Sequence, residues 1–350
     1  MPEDRPIRVV VHGLAHFAQR FPSMLQSEGW DIRSYDLRRL SHLMSMTRYL
    51  QYCDLVFSWT GRITMGKFLS MSRLLRKEKV VLFWCGSDVL FAQREYDQRK
   101  CVEPWIAERI HWAGAPWLAE EVRAMGLKCE YVPITWVRTA AQLRPLPQKF
   151  SVLCYTPNTD RLELYGIDQV LEVARAMSAV EFTLVGLLPG QKLNVPDNVQ
   201  LHEWTEDMTP FYQNASVLWR PTRHDGMSFM ALEALAHGRH VIWSYPSPGV
   251  IQSKHASSAR IELQRLFDLH RDGRLALNYA GADFVAKSFS PDVIRDGMLD
   301  GWRKILQSPL TPKPDFHTSL ISQTAAQRGA AGLPSAVPSR APLTPTSTEN

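Results

Sequence analysis

Cysteine is scarce. The five in 350 residues, Cys53, Cys85, Cys101, Cys129 and Cys154, are odd in number and form no C-x-x-C pair. That excludes a disulfide framework and a structural zinc site and fits a reducing cytoplasm. No stretch approaches the roughly 18 uninterrupted apolar residues of a membrane-spanning helix. The start, Met1-Pro2-Glu3-Asp4-Arg5, lacks the basic-then-apolar order of a secretory signal. The expectation is a cytoplasmic protein, neither exported nor integral to a membrane. A dense Lys/Arg patch is missing too. The net charge is +5; residues 1–145 hold 21 Lys+Arg against 15 Asp+Glu, leaving 19 against 20 for the rest of the chain. An excess of six in the first part is too mild for a nucleic-acid binder, and points instead to an anionic membrane surface or a phosphorylated ligand.

What is present is the balance of a folded protein: 45% apolar, 21% charged and 10% aromatic. The length suggests two domains. Short apolar runs alternate with helical patterns: strands at Ile7 to Val11, Trp30 to Tyr35, Asp54 to Phe57 and Val80 to Trp84, a helix running to about Glu28, and another from Met65 to Lys77. This is the rhythm of a parallel sheet wrapped by helices. Leu143-Arg144-Pro145-Leu146-Pro147 breaks it, and a second series follows, with strands at Ser151 to Tyr155, Glu181 to Val185, Val217 to Arg220 and Val241 to Tyr245 and helices at Ile167 to Met177 and Ser228 to His237. Two doubly wound α/β domains, 1–145 and 146–307, are expected. Residues 308–350 carry seven prolines, twelve Ser/Thr and one aromatic residue, Phe316, and read as a disordered tail.

Ligands of open parallel sheets bind beyond the carboxyl ends of the strands. In the first domain those ends are His12-Gly13, Thr60-Gly61 and Gly86-Ser87-Asp88, each joining a small residue to a group that accepts or transfers a proton. Singly, such glycines turn the chain and Ser87 or Asp88 caps a helix; together they suggest one wall of a pocket.

The second domain carries a sharper pattern. A strand ends at Arg220, a polar loop containing Gly226 follows, and a helix begins near Ser228, so free N–H groups and the positive end of a helix dipole face the loop. That is a phosphate cradle. Glu233 lies in a helix otherwise made of Phe, Met, Ala and Leu, where a carboxylate needs a partner. Sugar hydroxyls would serve, and the plainer alternative is an i,i+4 pairing with His237.

Asp225-x7-Glu233, followed by Ala234-Leu235-Ala236-His237-Gly238 and Val241-Ile242-Trp243, resembles the E-x7-E signature of nucleotide-sugar glycosyltransferases with the GT-B fold, the large family-four type (group 1 glycosyl transferases). Val152 to Pro157, Gly166 to Ala174 and Phe182 to Gly186 are similar to that family's first two strands and intervening helix. The resemblance implies two Rossmann-like domains facing a cleft, a donor domain at 146–307 and an acceptor domain at 1–145. It assigns Glu233 to the ribose and Asp225, Gly226, Met227 and Ser228 to the donor sugar and pyrophosphate. The family usually carries Arg and Lys in the first loop; here Tyr165 stands at the Lys position, so Arg161, with Arg220 or Arg223, would neutralise the diphosphate. The chain has no Asp-x-Asp sequence, so no metal or other cofactor is expected.

The reading that follows is a glycosyltransferase moving a sugar from a nucleotide diphosphate sugar to a glycan or lipid-linked acceptor, as in polysaccharide or glycoconjugate biosynthesis. The family resemblance implies retention of configuration. Asp225 lies at the reacting sugar, His12 or Asp88 assists acceptor deprotonation, and Gly13, Thr60, Gly86 and Ser87 line the acceptor side. The amphipathic stretch Lys67 to Lys77, with Arg38, Arg39 and Arg48 nearby, suggests peripheral attachment to the inner face of a membrane. The alternatives are a non-catalytic GT-B-like binder of nucleotide sugars and a sugar-nucleotide epimerase of the same fold.

Overall fold

A computed structural model describes residues 5–13, 21–35, 40–139, 142–157 and 159–308. The segment read as a disordered tail lies outside the described residues from Pro309 onward, as do Arg38 and Arg39. The two series of apolar runs become two six-stranded sheets, parallel throughout. The first has the order β2-β1-β3-β4-β5-β6, with β1 Ile7–Gly13, β2 Trp30–Ser34, β3 Leu55–Trp59, β4 Val80–Trp84, β5 Ile110–Ala113 and β6 Cys129–Tyr131. The second has the order β12-β11-β10-β7-β8-β9, with β7 Ser151–Tyr155, β8 Glu181–Leu187, β9 Val199–Glu203, β10 Val217–Arg220, β11 His240–Trp243 and β12 Val250–Gln252. In each sheet the strand order reverses beside the first strand of its series, which sets a crevice at the carboxyl edge.

Eleven labelled helices connect these strands among the described residues: α1 Leu40–Tyr52, α2 Lys67–Leu74, α3 Ser87–Arg99, α4 Pro104–Ala107, α5 Pro116–Ala124, α6 Ile167–Ala176, α7 Thr209–Gln213, α8 Phe229–Ala236, α9 Ala256–Arg271, α10 Tyr279–Ser288 and α11 Pro291–Gln307. Two expectations shorten. Phe21 to Met24 are helical but the chain turns at Leu25, so the helix does not reach Glu28. The helix expected to run to Lys77 ends at Leu74, and Arg76 takes φ +53°. Lys77 then turns inward, its Nζ donating to the carbonyls of Gln51 and Cys53.

Central strands such as β3 and β4 are buried at every position, as sheets covered on both faces require. In the second sheet alternate residues sort to two cores. Val152, Cys154, Val217, Trp219 and Ile242 pack with α6 and α9, whereas Leu153, Leu218, Val241 and Trp243 pack with α8 and with residues of α10. Trp59 and Trp84, at the ends of β3 and β4, are core residues.

Helix α11, numbered within the second domain by the sequence reading, returns to the first sheet. Trp302 is fully buried against Phe21, Trp30 and Phe57, and Lys79 Nζ donates to the carbonyls of Ile305 and Ser308 at 2.8 and 2.6 Å. The first half of the fold is therefore completed by the last helix of the described chain.

His111 on β5 is enclosed beneath this sheet. Its Nδ1 accepts from Trp84 Nε1 at 3.1 Å, which leaves Nε2 as the donor to the Ile106 carbonyl at 3.0 Å. Burial is the main cause that pushes its pKa down to about 4. A proton on Nδ1 would break the Trp84 bond. Because the folded pKa is depressed, the unfolded chain binds this proton first; stability is full above about pH 6.5 and falls by up to about 3 kcal/mol towards pH 4. Urea unfolding across that range should show the loss, and His111→Gln should flatten the slope by as much as one proton. An unchanged slope in the variant would refute the assignment.

Candidate active site

The loop after β10 and the loop after β4 meet across the two halves. A Cβ on Gly226 would lie 1.9 Å from the Cys85 carbonyl oxygen, and one on Gly86, at φ +153°, would lie 3.2 Å from the Gly226 nitrogen. Only glycine permits this backbone-to-backbone approach. Sequence placed both residues at a cleft, and the structure brings them into contact.

Neighbouring loop residues reach across in the same direction. His224 Nε2 lies 2.8 Å from Glu121 Oε2 on α5. Trp117 Nε1, also on α5, donates to the Asp225 carbonyl at 2.8 Å, and its ring stacks on Tyr245 at 4.5 Å. Thr135 Oγ1 donates to the Met227 carbonyl at 3.4 Å. The Met227 side chain packs into the cluster formed by Trp84, Ile63 and α5. Trp117 and Thr135 had no signal in the sequence, since their partners lie about a hundred positions away.

The Asp225 carboxylate points inward. Arg220 grips it at both oxygens, Nε to Oδ2 at 2.5 Å and Nη2 to Oδ1 at 3.1 Å, and Thr222 Oγ1 and Trp243 Nε1 each donate to Oδ2 at 3.2 Å. Burial opposes the charge on Arg220, but Asp225 outweighs it and holds the guanidinium pKa above its usual value. The guanidinium also lies over the Tyr165 ring at 5.3 Å. The acid expected at the reacting sugar and the cation expected at the diphosphate are thus bonded to each other. Arg223 is committed as well, to the Glu163 carbonyl and to Asp168 Oδ2 at 2.7 Å. Arg161, in the short 3-10 turn Thr159–Arg161 after β7, is exposed, and its guanidinium has no bonded partner among the described residues.

Glu233 rides on α8. Tyr212 Oη donates to its Oε2 at 2.6 Å while the Tyr212 ring stacks on His237 at 5.3 Å. Tyr212 thus stands where a Glu233–His237 pairing was the alternative. Burial raises the Glu233 pKa and the Tyr212 bond partly offsets it. Oε1 has no partner among the described residues. Ser228 caps α8, its hydroxyl accepting from Ala231 N at 3.2 Å, so the side chain assigned to the donor serves the helix.

The Asp88 carboxylate, expected above as a proton carrier, accepts from four backbone amides. Oδ1 accepts from the amides of Gly86 at 2.7 Å, Cys85 at 3.1 Å and Val89 at 3.1 Å; Oδ2 accepts from Gly61 at 3.0 Å. Burial raises its pKa against the downward pull of these bonds. The carboxylate fastens the loop of Thr60-Gly61 to the loop of Gly86-Ser87. Gly13, at φ +135°, abuts the Trp59 backbone. His12 stacks on Phe68 at 3.9 Å, and its Nδ1 is shielded from water with no partner among the described residues. Burial, with a further contribution from Arg62, pushes the His12 pKa down to about 4, so the ring is neutral near pH 7.

Residues 151–258 match the family model described as "Glycosyl transferases group 1". The matched segment runs from the start of β7 through β12 into the first residues of α9. No curated protein matches the chain. Among solved structures, a sucrose-phosphate synthase from Thermosynechococcus elongatus is 15% identical over 85% of this chain and 99% of its own, with TM-score 0.62. A glycosyltransferase from Rickettsia africae is 9% identical over 87% and 100%, with TM-score 0.60. The lipopolysaccharide outer core galactosyltransferase WaaB is 11% identical over 85% and 99%, with TM-score 0.58. At such identities the likeness is one of fold. The GT-B architecture implied by the sequence resemblance is the observed one, and the segment similar to group 1 glycosyl transferases lies in its second sheet.

Asp88→Asn puts an NH2 among amide donors. It should cost about 2–4 kcal/mol of stability by urea unfolding. Full stability with abolished turnover would instead return Asp88 to a chemical role.

Proposed function

We propose that the protein transfers a sugar from a nucleoside diphosphate donor, held by the glycosyl transferase domain, to a glycan or lipid-linked acceptor bound by the first half. The observation that carries this reading is Glu233 on α8. One of its oxygens is fixed by Tyr212 and the other has no partner among the described residues, on a segment that matches group 1 glycosyl transferases. A carboxylate so oriented accepts a ribose hydroxyl with little ordering cost. Arg161, together with the amino end of α8, supplies the positive field for the diphosphate. The neutral His12 ring takes the acceptor proton, and no metal is required. Retention of configuration follows from the family reading. A fold neighbour, TarM, has been crystallised with UDP, at 11% identity and TM-score 0.53, which fits a nucleotide donor of this kind.

A cytoplasmic protein resting on the inner face of a membrane completes the proposal. No helix among the described residues is long and apolar enough to cross a bilayer. On α1 and α2, Leu74 is 80% exposed, Met44 67% and Tyr52 60%, with Arg48, Arg73 and Arg76 in the same segments, a combination that suits an anionic interface. Flotation with vesicles should recover more protein when anionic lipid is included; equal recovery with neutral vesicles would remove the membrane from the proposal.

A second reading, a nucleotide-sugar binder without turnover, is favoured by one observation: Arg220 is spent on Asp225 while Tyr165 stands at the family's Lys position. Calorimetric titration with UDP and GDP sugars, paired with donor hydrolysis, separates the two. Binding with slow hydrolysis is expected of the transferase, and binding with none, whatever acceptor is supplied, of the binder. In either case Glu233→Ala should weaken donor affinity at least about tenfold. Unchanged affinity would sink the ribose assignment.

A further inference from the structure

A cavity of about 480 Å³ opens at the carboxyl edge of the second sheet, on the side of β11 and β12. It is lined by Pro221 and Thr222 after β10, Ser244 and Tyr245 after β11, Lys254 and His255 before α9, and Gln169 of α6. It is not the donor site proposed above. Glu233 rides on α8, which packs on one face of the sheet, whereas this cavity lies between the amino ends of α6 and α9, which pack together on the other.

Its chemistry is that of an anion site. The capping residue of α9, His255, makes no side-chain capping bond; in α6 the Ile167 amide is bonded to the Leu162 carbonyl, but the positive dipole end of that helix points to the same cavity as that of α9. Lys254 has no bonded partner among the described residues. The nearby Arg223 is already shared with Asp168, which leaves Lys254 as the uncommitted cation.

Two further side chains lack partners. Ser244 is 6% exposed and lines the cavity. Its carbonyl accepts from Gln252, but its hydroxyl has no bond among the described residues. The side-chain oxygen of Gln169 is shielded from water and unpaired there as well, and turning the amide over presents its NH2 to the same space. Buried polar groups seldom go unpartnered, so a hydroxyl, an amide, an ammonium and two helix ends around one cavity describe a ligand with several acceptor oxygens.

We propose that this cavity binds a phosphomonoester, at a site separate from the donor cleft. Its volume exceeds a bare phosphate, and Pro221 with the Tyr245 ring gives an apolar wall for a small organic body. The phosphoryl group could belong to a soluble metabolite-sized ligand or to a phospholipid headgroup, and the same chemistry recognises both.

The test uses the full chain. Titration with inorganic phosphate and with sn-glycerol 3-phosphate should show saturable binding, tighter for the ester. Vesicles of phosphatidylcholine with and without phosphatidate test the headgroup. Lys254→Ala, at an exposed position, and Ser244→Ala, nearly isosteric, should each weaken the responding probe about tenfold, while Glu233→Ala leaves it unchanged. A response to the soluble ester identifies a small ligand, and a response confined to phosphatidate vesicles identifies a headgroup. Overturning outcomes are no saturable binding of any probe, binding indifferent to Lys254 and Ser244, or phosphate binding lost in Glu233→Ala, which would place it in the donor cleft.

Discussion

The two-point grip of Arg220 on Asp225 fixes the loop on which the rest of the site depends. Both side chains are nearly enclosed, at 10% and 13% exposure, and a pair so placed repays its desolvation only when its remaining bonds are satisfied. Thr222 and Trp243 satisfy them. With the carboxylate turned in, the loop's backbone turns out: the Asp225 carbonyl meets Trp117, Gly226 meets Cys85, and Met227 enters the first half's core. The shortening of Glu to Asp at this position suits a partner drawn in against the end of β10. One ion pair inside the second half thereby determines how the first half is touched.

The same loop separates two regions of different character. Towards α8 lies a carboxylate with a raised pKa, steadied by a tyrosine. Towards α9 lies a cavity bordered by a lysine and two helix ends. A carboxylate and a lysine-bordered cavity thus stand on opposite faces of one sheet.

Much of the fold was legible because buried parallel strands must be apolar: β3, β4, β7 and β10 read directly as runs of Val, Leu, Phe and Trp. Strands β5, β6, β9 and β12 escaped notice. They are short and carry polar residues, His111, Glu130, Gln200 and Gln252 among them, which an edge or a buried hydrogen bond tolerates and a periodicity reading does not detect. At the site, the loop and Glu233 were visible from local pattern. What side chains do there was not, because direction is set by partners distant in sequence. Asp88 looks like an acid at a strand end, yet Gly61, 27 positions earlier, helps make it an anchor. Asp225 looks like a sugar contact until Arg220 and Trp243 close on it.

The return of α11 to the first sheet has a mechanical meaning. The polypeptide passes between the halves twice, once in the stretch before β7 and once between α10 and α11, and the two passages are bonded to each other where Val137 N donates to the Phe289 carbonyl at 2.8 Å. Two adjacent tethers make a hinge pin, where a single tether would make a swivel. The two bonded passages thereby help to hold the walls at Gly86 and Gly226 in register.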